Sequence, residues 1–168
     1  MDHKLKLMVV DDSPLFRTWL IHSLSADDRF QVVGYAVNAL DAQEKIPLLQ
    51  PDMLTLDIEM PGMSGIEFLK QLLPVHPIPV ILVSSLNLRV FDALEAGAVD
   101  FVRKPDEANG LSKEIFLSML RSKLMVAAAS HVHLPSAPAD PQAGGIRKVS
   151  SLPPARNTFL QKPKIPLG

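Results

Sequence analysis

Four charged side chains and two hydroxyls follow apolar runs, where a strand would hand its last residue to solvent. Asp11-Asp12 follow LKLMVV, Asp57 follows DMLTL, Ser84-Ser85 follow PVILV, and Lys104-Pro105 come one residue after AVDFV. If these tips share one rim, three carboxylates lie close together. At an effective dielectric near 20, each pair at about 4 Å repels by roughly 4 kcal/mol before screening. A hard divalent cation relieves that repulsion, and Mg²⁺ takes oxygen ligands from one or two carboxylates, waters and a phosphate. A lysine offers a point charge for a phosphoryl oxygen, and a hydroxyl can donate to another. The set suits phosphoryl transfer onto a carboxylate nucleophile, giving an acyl phosphate. Asp57 is the natural nucleophile, placed between the acid pair and the lysine. Met60-Pro61-Gly62 then turns the chain away and leaves it accessible. Taken singly, each piece has a plainer reading: an acid pair caps a helix, serines form a turn, a lysine before proline sits in a surface loop. Only the combination, each member at a strand end, carries the chemical reading.

The elements that must position these residues alternate in type. LKLMVV reads as a strand. DSPLFRTWLIHSL reads as a helix with Ser13 as N-cap, Pro14 at the first helical position, and Phe16, Leu20 and Leu24 on one stripe. FQVVGYA is a second strand, and NALDAQEKI a helix capped by Asn38. DMLTLD and GIEFLKQLL, then PVILVSS and LRVFDALEAG, repeat the pair, with Gly97 as a helix-ending residue. AVDFV and SKEIFLSMLRSKLMVAAA complete five β/α repeats. Such alternation predicts a parallel sheet with helices on both faces and right-handed crossovers. The apolar strands lack clean alternation, as expected for burial on both sides. Sheets of this kind bind ligands beyond the carboxyl ends of their strands.

The 168 residues suffice for one domain and an appendage, and 47% of them are hydrophobic. With no cysteine, disulfides and thiolate metal sites are excluded, and a reducing compartment fits. No signal peptide or membrane span is read, so the expectation is a cytoplasmic protein without a membrane partner. The net charge of −1 conceals an asymmetry. Residues 1–129 hold 12 Lys/Arg and 17 Asp/Glu, whereas residues 130–168 hold 5 Lys/Arg, one acid and seven prolines. The first stretch is read as the domain, and 130–168 as a proline-rich basic linker or tail that does not fold. His131 and His133 in that tail are a poor metal signal, having no further ligand near them.

VVDDS, TLDIEMPGMSG, VSS and VDFVRKP resemble the receiver domain of two-component response regulators. TLDIEMPGMSGIEFL, PVILVSSL and EAGAVDFVRKP narrow the resemblance to the receiver of the chemotaxis protein-glutamate methylesterase, the CheB type. The resemblance covers residues 5–127 and implies a flavodoxin-like, doubly wound (βα)5 fold. It implies Asp57 as phosphoacceptor and Asp12 and Asp57 as Mg²⁺ ligands, with the Glu59 main-chain carbonyl. Asp11 would complete the metal site mainly from behind these ligands. Lys104 would pair with the carboxylate and then the phosphoryl group, through a cis bond to Pro105. Ser84 would close on the phosphoryl oxygen while Phe101 swings inward, and Glu59 and Ser85 would tune the lifetime of the acyl phosphate. Many receivers carry threonine and tyrosine where this chain has Ser84 and Phe101, so Phe101 brings no hydroxyl. The implied partners are a chemotaxis-type histidine kinase, a methylesterase or other output domain and, through it, chemoreceptors, with no nucleic acid and a monomeric state.

No G-x-S-x-G or comparable serine turn occurs. The chain is therefore expected to undergo phosphorylation and self-dephosphorylation without hydrolysing esters, as a fragment of a two-domain enzyme. A free-standing receiver, or the receiver of a transcription regulator lacking its output domain, stands as the alternative. A haloacid-dehalogenase-type phosphatase would need a second Asp two residues after Asp57, where Glu59 stands. A flavin mononucleotide binder would need a phosphate loop where DDSPLF places acids.

Overall fold

A computed structural model describes residues 3–85, 89–106, 108 and 110–133, the last three by backbone alone. Most of the tail assigned from the sequence, including the side chains of His131 and His133, lies outside the described residues. Five strands form one parallel sheet in the order β2-β1-β3-β4-β5. They are β1 (Leu5–Val10), β2 (Phe30–Ala36), β3 (Met53–Leu56), β4 (Val80–Ser84) and β5 (Asp100–Arg103). The helices are α1 (Pro14–Ser25), α2 (Ala39–Leu49), α3 (Gly65–Leu72), α4 (Val90–Glu95) and α5 (Lys113–His133). This is the flavodoxin-like doubly wound order, whose strand direction of travel reverses between β1 and β3. None of the described helices is long and apolar enough to cross a membrane.

The strands hide their alternation because both faces are covered. Leu7 and Val9 pack with Leu20 and Leu24 of α1 and with Phe116, Leu120 and Leu124 of α5. Met8 and Val10 point the other way, into a second core with Ala42 and Ile46 of α2, Phe68 and Leu69 of α3, and Ala93 of α4. Period-two geometry is thus retained while the run Leu7–Val10 stays apolar throughout.

Local signals explain most helix starts. The Ser13 hydroxyl accepts from the Phe16 N–H, with Pro14 at the first turn, and Asn38 Oδ1 accepts from the Asp41 N–H at 2.8 Å. Ser64 and Glu67 form a reciprocal capping box that starts α3. Two helices run well past the ends read from the sequence. Helix α2 continues through Pro47 to Leu49, because a proline in the last turn forfeits only one intrahelical bond, and Gln50 closes the helix in the left-handed region at φ 49°. Helix α5 runs four residues past Ala129, where the apolar pattern had ended.

One glycine fixes how α3 approaches the rim. A Cβ on Gly65 would lie 2.5 Å from the Asp57 carbonyl oxygen and 2.9 Å from the Ile58 Cα, both backbone atoms. The Gly65 N–H also donates to the Ile58 carbonyl at 2.8 Å. Helix α3 therefore begins in contact with the chain that carries Asp57. Gly65→Ala is expected to destabilise the fold by about 1–3 kcal/mol through overpacking against rigid backbone, measured by chemical denaturation; Gly62→Ala, with open space around it, separates steric crowding from loss of a positive φ.

Candidate functional site

The strand tips meet. Asp11 continues β1, and its N–H donates to the Ala36 carbonyl of β2. Asp57 continues β3, and its N–H donates to the Val10 carbonyl of β1. These bonds carry the sheet ladder one residue beyond each strand and hold both carboxylates at the reversal point. Oxygens of Asp11, Asp12 and Asp57 lie within 4.8 Å of one another. Asp11 and Asp57 are 2% and 4% exposed, and Asp12 faces solvent.

Lys104 binds the two buried acids together. Its Nζ lies 2.9 Å from Asp11 Oδ2 and 3.3 Å from Asp57 Oδ2. The Lys104 N–H donates to the Ser84 carbonyl at 3.0 Å, so β4 sets the height from which the side chain reaches across the rim. Its ammonium also sits 4.6 Å from the centroid of the Phe16 ring, which lends a desolvated cation its π face. The Lys104–Pro105 bond is trans, contrary to the cis form the family resemblance implied. Trans is the favoured isomer of an X–Pro bond, and it is compatible with Lys104 reaching both carboxylates. The other oxygen of each buried carboxylate also accepts a hydrogen bond. The Ser13 N–H donates to Asp11 Oδ1 at 2.8 Å, and the Glu59 N–H to Asp57 Oδ1 at 3.2 Å. Arg17 Nη1 donates to the Asp11 carbonyl at 2.9 Å, and its guanidinium lies 4.8 Å from the Tyr35 ring centroid.

Burial pushes the Asp57 carboxyl up from 3.8 to about 6; Lys104 opposes that shift, Asp11 adds to it, and the Glu59 N–H opposes it. For Lys104, burial acts downward, but the carboxylates of Asp11 and Asp57 outweigh it and raise the ammonium pKa. One lysine cannot balance three acids. The cluster offers more carboxylate oxygens than Lys104 can engage, which is the donor set a hard divalent ion accepts. The residues present thus fit Mg²⁺, Asp12 being the one of the three acids that is exposed.

Ser84 is fully buried at the end of β4, opposite Arg103 of β5, and Ser85 beside it is exposed. Phe101 is half-buried and packs against the core of α2, α3 and α4. Lys123 of α5 donates to the Phe101 carbonyl at 2.9 Å and to Asp100 Oδ1 at 3.0 Å. Outside the acids opens a cleft of about 490 Å³ lined by Asp12, Ile58, Glu59, Met60, Pro61, Ser64 and Arg89. Phe16, Arg17 and Arg89 were absent from the sequence-derived site. Phe16 was legible only as a member of the helix stripe, and nothing local marks the two arginines.

The response regulator receiver domain family model matches residues 7–116. A protein-glutamate methylesterase/protein-glutamine glutaminase 2 of Syntrophomonas wolfei is 46% identical over 129 residues, which is 77% of this chain and 38% of that protein. The enzyme of the same description from Vibrio vulnificus is 43% identical over 136 residues, 79% of this chain and 39% of its own length. The chain thus spans under two fifths of these curated relatives. The response regulator domain of Thermotoga maritima CheB superposes with a TM-score of 0.69 at 37% identity, covering 76% of this chain and 98% of that domain. A chain from the crystal structure of the P1 domain of CheA3 in complex with CheY6 from R. sphaeroides gives a TM-score of 0.62 at 28% identity, covering 74% of this chain and 97% of its own.

In metal-free protein the raised Asp57 pKa makes ionisation of this group a cost to folding. The folded state holds the proton more tightly than the unfolded one. The contribution is therefore neutral below about pH 4, grows unfavourable as pH rises from 3.8 to about 6, and is constant above that. Asp57→Asn, measured by urea denaturation in a chelator, is expected to gain on the order of 1–3 kcal/mol at pH 7.5 and close to nothing at pH 4. A gain independent of pH would contradict this origin.

Proposed function

This chain belongs to the response regulator receiver domain family, and from that premise we propose that it accepts a phosphoryl group on Asp57 and thereby controls a protein-glutamate methylesterase activity. The observation that carries the reading is the buried Asp57 carboxylate, held at the sheet's reversal point by the Lys104 ammonium and the Glu59 N–H and flanked by Asp11 and Asp12. A nucleophile so placed needs little reorganisation, and its two oxygens are each held by a separate donor.

Asp12 and Asp57, with the Glu59 carbonyl, are assigned to hold Mg²⁺, and Asp11 supports them through its pairing with Lys104. Bound there, the ion neutralises phosphoryl oxygens and aligns donor and acceptor. The chain's own residues do the rest. Asp57 attacks phosphorus, and Lys104 follows the negative charge from the carboxylate onto the new phosphoryl oxygens. Ser84 donates its hydroxyl to one of those oxygens. Movement at the end of β4 then changes the space available to Phe101, whose carbonyl Lys123 links to α5. Without a hydroxyl, Phe101 responds through packing alone. Glu59 and Ser85 flank the site on the solvent side and regulate water access to the acyl phosphate.

The donor is a chemotaxis-type histidine kinase, supported by the resemblance to a chain from the CheA3 P1–CheY6 complex. The methylesterase relatives and the Thermotoga CheB receiver support the identity of the output. Its targets would be methylated glutamates of chemoreceptors, and the chain would act in the cytoplasm as a monomer. Residues 1–129 would form the receiver and 130–168 the linker toward the output domain.

Intact-mass analysis after incubation with Mg²⁺ and acetyl phosphate tests the central step. One added phosphoryl group is expected on the parent chain, with none in chelator and none on Asp57→Asn. Adduct formation on the Asp57→Asn chain at the parent's rate would place the acceptor elsewhere.

A further inference from the structure

The cleft beside Asp57 has an unequal charge inventory. Its wall carries Asp12 and Glu59, both exposed acids, and one cation, Arg89, just before α4. Lys104 already spans Asp11 and Asp57, and Arg17 donates to the Asp11 carbonyl. Among the described residues the Arg89 guanidinium makes no ion pair or hydrogen bond, and its side chain is exposed. A free guanidinium opposite two acids, on the open side of a buried nucleophile, is set to receive an anion that arrives from solvent. Its planar fork matches a carboxylate in two-point fashion.

In-line transfer decides which anion this is. Asp57 attacks phosphorus from the sheet side, so the leaving group departs on the far side, outward. With an acyl phosphate, the P–O bond to the acyl oxygen breaks and its electron pair stays on that oxygen. A free carboxylate leaves, while a new P–O bond forms to Asp57. Charge is conserved, and the negative charge that grows on the departing carboxylate lies on the cleft side. With phosphoramidate the P–N bond breaks and neutral ammonia leaves, the nitrogen carrying its proton, so no carboxylate develops there.

We propose that Arg89 is a donor-selecting residue that holds the departing carboxylate of an acyl phosphate, so that this site favours acyl phosphates over phosphoramidates. The inference rests on the reading of Asp57 as phosphoacceptor. It assigns to Arg89 a differential effect, stronger in the transition state than in the ground state, and hence on rate.

The test compares initial phosphorylation rates of the full chain with acetyl phosphate and with phosphoramidate, at saturating Mg²⁺, for the parent, Arg89→Gln and Arg89→Lys. Arg89→Gln is expected to slow transfer from acetyl phosphate about five- to ten-fold while changing transfer from phosphoramidate less than about two-fold. Arg89→Lys keeps the charge without the fork and is expected between the two. Calorimetric Mg²⁺ affinity and thermal stability are expected to stay at the parent's values. An unchanged ratio of the two rates in Arg89→Gln overturns the inference and leaves the phosphoacceptor reading standing. No transfer to the parent chain from either donor overturns both.

Discussion

The ammonium of Lys104 between Asp11 and Asp57 is the interaction on which the site's arrangement turns. Two carboxylates buried at 2% and 4% exposure would repel strongly without it, and neither has water enough to screen the other. The lysine comes from the far end of β5, yet the acids belong to β1 and β3. Strand order makes the reach feasible, since only β4 separates β3 from β5. The Lys104 N–H is fixed to the Ser84 carbonyl, and the Phe16 ring takes up part of the cation's lost hydration. Removing Lys104 would leave two buried carboxylates uncompensated, whereas neutralising Asp57 leaves the Lys104–Asp11 pair intact. The cluster is thus poorly explained as a stabilising device, and its surplus of carboxylate oxygens suits a divalent cation.

The rest of the fold serves the rigidity of that rim. Each sheet face is sealed by its own core, one against α1 and α5, the other against α2, α3 and α4. The strands therefore end at fixed heights. The loop after Asp57 is pinned by the contact between Gly65 and the Asp57–Ile58 backbone and by the Ser64–Glu67 capping box. On the opposite side, Lys123 ties the Phe101 carbonyl and the Asp100 carboxylate to α5. Under the proposed reading, a charge added at Asp57 would act on a rim held from both sides, where it would be passed on through these few contacts.

Much of this was readable from residue order because the signals are local. Ser13-Pro14, Asn38 and Ser64 with Glu67 start helices through bonds spanning three residues, and Gly97 ends α4 with a positive φ. Acids, hydroxyls and lysine at strand ends predicted the shared rim, because parallel strands in a βα alternation bring their carboxyl ends to one side. The misjudged points also have local causes: a proline in a helix's last turn costs little, and trans is the favoured X–Pro isomer. Pro47 sits inside α2 because the helix end is closed by Gln50, and Lys104–Pro105 is trans although the family resemblance implied cis.

By itself the sequence determined the five β/α repeats and the acids and lysine that meet at the strand tips. Tertiary structure alone decided the ion-pair partners, the Phe16 ring beneath Lys104, the Arg17 bond to the Asp11 carbonyl and the place of Arg89 on the cleft wall. The reason is range. Caps and periodicity depend on neighbours within one or two turns, whereas the electrostatics of a buried carboxylate depend on which groups the crossovers bring within a few ångströms, and that distance is set by strand order and packing.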